Sequence, residues 1–253
     1  MGPSAPLDDS PPPYGTLVFD CDSTLCGIEG IDELRELGEI AGRRRAEVAA
    51  LTERAMAGGL ALEAVYGRRL ELLRPSRAAI EALGRQYVAS ALPNGREMVA
   101  ALHALGKRVC IVSGGIRAAV LVLAAHLNLR ATEVFAVEVS HDSAGEYLGF
   151  DQLSPLARSG GKLGVVLQLA RENPRAAVAL VGDGATDLEA GPAAQRFVAF
   201  GGVVRRPEVF ARARVHCDRR DLAALLPLLC SPAEIEQLAE DPAHGSLLRA
   251  AQP

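Results

Sequence analysis

The stretch Leu17-Val18-Phe19-Asp20-Cys21-Asp22-Ser23-Thr24 constrains this chain more than any other, because an apolar run delivers two carboxylates to the end of an expected strand. Side chains at i and i+2 of a strand project to the same side, so Asp20 and Asp22 are expected to share one cavity. Two carboxylates that close do not both ionise comfortably unless a cation, a donated hydrogen bond or a raised pKa relieves the repulsion. The pair therefore asks for a metal ion. It also supplies one group able to act as a nucleophile and another able to hold and hand over a proton.

The pattern of the rest of the chain sets the fold. From Ile31 to Leu92 the apolar residues recur at helical spacing, as in Leu62, Val65, Tyr66, Leu70 and Leu73, with no strand-like alternation. From Pro93 onward strands alternate with helices: Arg108 to Val112, a helix from Ile116, Val134 to Val139, a helix from Lys162, Ala177 to Val181, then Val198 to Phe200. Such alternation predicts an α/β chain with a doubly wound parallel sheet, helices on both faces, and ligands bound beyond the carboxyl ends of the strands. The expected division is a flexible Pro-rich tail over 1–13, a catalytic core made of 14–28 and 93–230, a helical cap over 29–92, and a C-terminal helix and tail over 231–253. No role is assigned to that last segment. A chain of 253 residues is long enough to bury a substantial core.

Composition excludes several classes. A net charge of -4, with 49% hydrophobic and 23% charged residues, describes an ordinary soluble globular protein and no nucleic-acid partner. The Arg43-Arg44-Arg45 cluster lies beside Glu39 and Glu47 in a helical pattern, which reads as a solvated face. The cysteines Cys21, Cys26, Cys110, Cys217 and Cys230 are odd in number and form no C-x-x-C pair, fitting reduced thiols. Cys21, set between the two aspartates, points away from them on the strand alternation and is read as a packing residue. No apolar run reaches the length of a membrane span, and the amino terminus lacks a basic and apolar leader. A cytoplasmic protein acting on a small molecule, without a membrane partner, is expected.

Three chemistry-bearing clusters fall where strands run out: Asp20 and Asp22, then Ser113-Gly114-Gly115, then Gly182-Asp183-Gly184-Ala185-Thr186-Asp187. A fourth, Ser159-Gly160-Gly161-Lys162, opens a helix, where backbone N–H groups and the helix dipole favour an anion. Lys162 stands out because all but two of the 27 basic residues are arginine. A lysine there suits a site needing a compact point charge rather than a planar fork. Each cluster alone also reads as a turn or a helix cap. Together they describe an acidic, metal-binding corner facing a donor-rich, phosphate-sized corner, and phosphoryl chemistry follows.

These residues resemble the motifs of the haloacid-dehalogenase superfamily phosphatases, and within it the phosphoserine phosphatase family. Asp20-Cys21-Asp22-Ser23-Thr24 matches D-x-D-x-T, Ser113-Gly114-Gly115 matches S-G-G, Lys162 the family lysine, and Gly182 to Asp187 the G-D-G-x-T/N-D motif. The likeness runs from Thr16 to about Leu228. It implies that Asp20 attacks phosphorus to form an aspartyl-phosphate, and that Asp22 protonates the departing alkoxide and then deprotonates the hydrolytic water. It further implies that Ser113, Gly114 and Lys162 hold the phosphate, that Mg²⁺ is bound by Asp20, the Asp22 carbonyl and Asp183, and that Asp187 orients this cluster from behind. In the cap, Glu29 matches the group that binds the substrate amine and Arg69 the one that grips its carboxylate. Met56 lines the same small pocket and Thr186 lies near the phosphate. The activity so implied is release of phosphate from phosphoserine, the last step of serine synthesis; a homodimer is compatible with it.

Competing readings are weaker or overlap. A pump-like phosphorylated domain lacks the second aspartate and needs membrane spans. A P-loop is missing, since Gly161-Lys162 is followed by Leu163. A phosphatase or phosphotransferase for another small phosphomonoester would keep every catalytic residue and differ only around Glu29, Met56 and Arg69.

Overall fold

The computed structural model describes residues 13–37, 47–48, 50–51 and 62–252. Met56, the Arg43-Arg44-Arg45 cluster and residues 1–12 of the Pro-rich start lie outside the described residues. The chain begins with β1 (Tyr14–Phe19), followed by α1 (Gly30–Leu37), α2 (Leu62–Leu73), α3 (Arg77–Ala89) and α4 (Gly95–Ala104). Next come β2 (Arg108–Ile116), α5 (Arg117–His126), β3 (Val134–Val137) and a hairpin of β4 (Val139–His141) and β5 (Tyr147–Phe150). The remainder is α6 (Gly161–Glu172), β6 (Ala177–Gly182), α7 (Ala185–Ala190), β7 (Arg196–Phe200), α8 (Pro207–Arg212), β8 (Val215–Cys217), α9 (Leu226–Leu229), α10 (Pro232–Ala239) and α11 (Gly245–Ala251).

Six strands form one sheet in the order β3-β2-β1-β6-β7-β8, every neighbouring pair parallel. β1 is central because it is apolar on both faces: Leu17, Val18 and Phe19 are all fully buried. Burying each such side chain contributes about 1.5–3 kcal/mol. Pairing sets Phe19 beside Ile111 on one side and Val181 on the other, so β1 and β6 end within a residue of each other while β2 runs on to Ile116. The chain winds outward from β1 to β2 and β3, then returns to β6, β7 and β8 on the far side. Right-handed crossovers place the connecting helices on opposite faces, and the reversal opens a crevice at the carboxyl ends beside β1. The α/β, doubly wound class read from the sequence is the fold observed.

The helices between β1 and β2 are anchored at their far end. Ser76 caps α3 by accepting the Ala79 N–H, and the helix buries Ile80, Leu83 and Tyr87. α3 lies against both α1 and α5, so it joins this helical segment to the sheet-flanking helices.

Some boundaries differ from expectation. β2 continues through Ser113-Gly114-Gly115 to Ile116, with a register shift against β3 between Val112 and Ile116. Small residues let an extended backbone bulge there without steric cost. The expected strand Val134 to Val139 is broken into β3 and β4, and the β4–β5 hairpin and β8 are too short to leave a period in the sequence. The C-terminal segment is packed down rather than frayed: Leu238 and Leu247 are buried. Lys107 donates to Glu234 at 2.5 Å and to the Tyr14 carbonyl at 2.8 Å, and Arg219 donates to the carbonyls of Ala250 and Gln252. All five cysteines are buried and unbridged. Among the described residues no helix is long and apolar enough to cross a membrane.

Candidate active site

β1 ends at Phe19, and the chain turns at once. The N–H groups of Thr24, Leu25 and Cys26 converge on the Cys21 carbonyl at 2.9–3.3 Å, with Ser23 in the left-handed region at φ 53°. Asp22 therefore projects from a turn, not from the strand whose alternation predicted its direction. The two carboxylates consequently have different partners. Asp20 Oδ1 accepts the Cys21 N–H at 2.7 Å and lies 2.8 Å from Lys162 Nζ. Asp22 Oδ1 accepts the Tyr87 hydroxyl at 2.6 Å, and its Oδ2 accepts the Gly30 N–H at 3.0 Å. Burial pushes the Asp22 carboxyl up to about 6, helped by the charge of Asp20 and opposed by the Tyr87 and Gly30 hydrogen bonds.

Lys162 reaches this point because α6 starts in a confined space. Gly160, at φ +71°, forms its N-cap, and a Cβ on Gly161 would lie 1.7 Å from the Pro155 carbonyl oxygen. Only glycine allows that approach. From the first turn the Lys162 side chain, 7% exposed, spans Asp20 Oδ1 and Asp187 Oδ1, each at 2.8 Å. Burial alone would lower its pKa, yet the charges of Asp187 and Asp20 outweigh burial and hold the ammonium protonated. Asp187, fully buried, also accepts the Gly184 N–H at 3.0 Å at the start of α7. Burial and then the charge of Asp20 push its carboxyl up, while Lys162 draws it back.

Asp183, at the end of β6, is 2% exposed, and burial followed by the charge of Asp20 raises it to about 6. Its Oδ1 accepts the Thr24 hydroxyl at 3.2 Å and its Oδ2 accepts Arg206 Nε at 2.9 Å. The same guanidinium reaches Glu29 Oε1 at 3.0 Å, where the Ser23 hydroxyl also donates at 2.8 Å. Partial burial and the charge of Asp22 bring Glu29 up to about 7, against Ser23 and Arg206. Arg206 is absent from the sequence reading: one arginine among many, its only signal is its place in the loop after β7.

Ser113 is buried and its hydroxyl accepts the Gly115 N–H at 2.9 Å. The neighbouring Gly114 carbonyl accepts the Tyr66 hydroxyl at 2.8 Å, which ties α2 to the end of β2. Arg69, one turn further along α2, is partly buried. Burial lowers its pKa while Asp32, Tyr66, Glu29 and Asp22 raise it, so it shares the electrostatic surroundings of Glu29 and Asp22. Thr186 stands partly exposed in the first turn of α7. Helical spacing marks Tyr66 and Tyr87 only as core positions; their hydroxyls are what reach the site.

Three carboxylates could hold a cation. Oxygens of Asp20, Asp183 and Asp187 lie within 4.8 Å of one another, and all three residues are buried. An all-oxygen set suits Mg²⁺, and the charge of Asp20, which after burial raises Asp183, is one that a divalent ion would offset. The Asp22 carboxylate stands outside this group, tied to Tyr87 and Gly30, so its backbone carbonyl is what it could offer a metal. Asp187, placed behind the ligands by the sequence reading, belongs to the carboxylate group while also pairing with Lys162.

The chain is similar to known proteins in both sequence and fold. The chain is 41% identical over 194 residues to human phosphoserine phosphatase, covering 76% of this chain and 84% of that protein. Its fold superposes on a probable phosphoserine phosphatase from Vibrio cholerae with TM-score 0.70 and 29% identity, covering 93% and 70% of the two chains. It also matches a phospho-aspartyl intermediate analogue of phosphoserine phosphatase, with TM-score 0.69, 25% identity and coverage of 86% and 99%. The family model for haloacid dehalogenase-like hydrolases matches residues 17–192. With that match across the strands and loops that carry the site, the chain belongs to the haloacid dehalogenase-like hydrolase family.

Proposed function

We propose that the chain removes phosphate from phosphoserine, giving serine and inorganic phosphate through an aspartyl-phosphate on Asp20. The observation that carries this reading is the division of labour between the two aspartates. Asp20 faces Lys162 and the carboxylate group, whereas Asp22 is turned to Tyr87 and Gly30.

In the first step an Asp20 oxygen attacks phosphorus and the P–O bond to the serine oxygen breaks. That oxygen takes a proton from Asp22. In the second step a water oxygen attacks phosphorus, Asp22 recovers a proton from the water, and the Asp20 carboxylate is released. Lys162, Ser113 and the Gly114 N–H hold the equatorial phosphate oxygens, where positive charge and donors stabilise the transition state. Asp20, the Asp22 carbonyl and Asp183 would hold Mg²⁺, with Asp187 orienting them. When bound, the ion neutralises charge on the transferring phosphoryl group.

The segment over 29–92 selects the substrate. Glu29 and Arg69 share the surroundings of Asp22, and a zwitterion needs one acid and one base there. Arg69 suits a carboxylate, which its fork engages at two points. Met56 and Thr186 complete the pocket in this reading. A phosphatase for another small phosphomonoester is the alternative, since it would share every catalytic group. Phosphate release with Mg²⁺ from L-phosphoserine, phosphothreonine and a panel of sugar and nucleotide monophosphates decides between them. Preference for phosphoserine supports the Glu29 and Arg69 pocket; preference for another ester overturns it.

A further inference from the structure

Tyr87 is fully buried and 65 positions from Asp22 in sequence, yet its hydroxyl ends at Asp22 Oδ1, 2.6 Å away. A buried phenol must find an acceptor, and an ionised carboxylate is a strong one. The packing around this hydroxyl is tight. A Cβ on Gly30 would sit 2.0 Å from it and 2.9 Å from Tyr87 Cζ, and a Cβ on Gly115 would sit 3.3 Å away. Position 30 therefore has no room for a side chain while Tyr87 keeps its place. The Gly30 N–H meanwhile holds the other Asp22 oxygen at 3.0 Å. Two donors on two oxygens fix both the rotamer and the plane of a carboxyl group that the turn at 21–26 would otherwise leave free to rotate.

We propose that Tyr87 is a positioning residue for proton transfer: it holds the Asp22 carboxyl in the orientation from which a proton passes to the departing ester oxygen. The inference rests on the reading of Asp22 as general acid and base. A donor hydroxyl serves either protonation state, because the carboxyl oxygen it contacts accepts in both. Its effect is confined to substrates whose leaving group needs that proton. The alkoxide of serine does; p-nitrophenolate departs without one.

The test is single-turnover phosphoryl transfer from L-phosphoserine and from p-nitrophenyl phosphate with Mg²⁺, in the wild type, Tyr87→Phe, Asp22→Asn and the double variant. Tyr87→Phe is expected to slow transfer from phosphoserine about tenfold or more, part of the roughly 10²–10⁴ that a positioned proton donor supplies, with KM little changed. Release of p-nitrophenolate should stay within about twofold by the same argument. In the Asp22→Asn background the Tyr87 change should cost nothing further. The ratio of the two rates within one preparation is independent of the folded fraction, so partial unfolding of a variant does not mimic the result. Equal losses on both esters, no loss on either, or additive losses in the double variant would overturn the role of Tyr87. If Asp22→Asn itself fails to discriminate between the esters, the assignment of Asp22 falls and the inference with it.

Discussion

Lys162 Nζ stands 2.8 Å from Asp20 Oδ1 and 2.8 Å from Asp187 Oδ1, so one buried ammonium joins the end of β1 to the start of α7. Removing it leaves two buried carboxylates uncompensated. Lys162→Met is expected to lower kcat by about 10²–10³ or more, the scale of losing one preorganised charge at a transition state. Lys162→Arg should not restore it, because a planar fork does not fit a position built for one point charge between two oxygens. Recovery of near-normal turnover by the arginine variant would show that charge alone suffices. Steady-state phosphate release measures both.

Arg69 is expected to act on one substrate group only. Arg69→Ala should reduce kcat/KM for phosphoserine about 10²-fold, on the scale of a lost charged hydrogen-bond pair. Phosphoethanolamine, which keeps the amine and lacks the carboxylate, should be affected far less. Equal losses on both esters, compared in one assay, would remove Arg69 from the pocket.

Metal should be visible without turnover. If Asp20, the Asp22 carbonyl and Asp183 hold a divalent ion, Mg²⁺ raises the Tm of the wild type by mass action on the folded state. Asp183→Asn should shrink that rise, and chelator should silence phosphate release until Mg²⁺ is restored. Full activity in excess chelator, or an Mg²⁺ shift in Tm unchanged by Asp183→Asn, would count against the assignment.

Glu133 supplies a pH prediction away from the site. Its carboxylate accepts Arg108 Nε and Arg130 NH2 at 2.8 Å each and is 7% exposed. Burial would raise its pKa, but the hydrogen bond from Arg108 leads the opposing effects, and the net shift is downward. A depressed folded-state pKa contributes stability that is fully present above the ordinary glutamate range and is lost as pH falls below that range through the folded-state pKa. Glu133→Gln should therefore cost about 2 kcal/mol near neutral pH, or about 4–8 °C in Tm. The gap to wild type should begin to narrow only as pH falls below the ordinary glutamate value of about 4.3. A gap independent of pH, read from thermal melts across that range, would contradict this.

Much of the site was legible because the strand-end rule does not depend on distant contacts. Leu17 to Phe19 mark a central strand by being apolar on both faces, and Asp20 follows at its carboxyl end; the same logic places Asp183 after Val178 to Gly182. The scarcity of lysine singled out Lys162, whose side chain does reach Asp20. The groups that escaped notice bond to residues remote in the chain. Arg206 and Glu29 are 177 positions apart, Tyr87 and Asp22 are 65 apart, and Tyr66 and Gly114 are 48 apart. Helical periodicity records that a tyrosine is buried, and says nothing about which acceptor its hydroxyl finds. Asp22 was grouped with Asp20 by strand alternation, whereas the hydrogen-bonded turn on the Cys21 carbonyl sets its direction.

The central claim is that phosphate passes through Asp20. Wild-type protein mixed with phosphoserine and Mg²⁺, quenched in acid within one turnover and analysed by peptide mass, should carry a phosphoryl group on the peptide containing Asp20. Asp20→Asn should carry none and release no phosphate. Phosphate release by the wild type with no modified peptide at any time, or steady turnover by Asp20→Asn, would contradict the account.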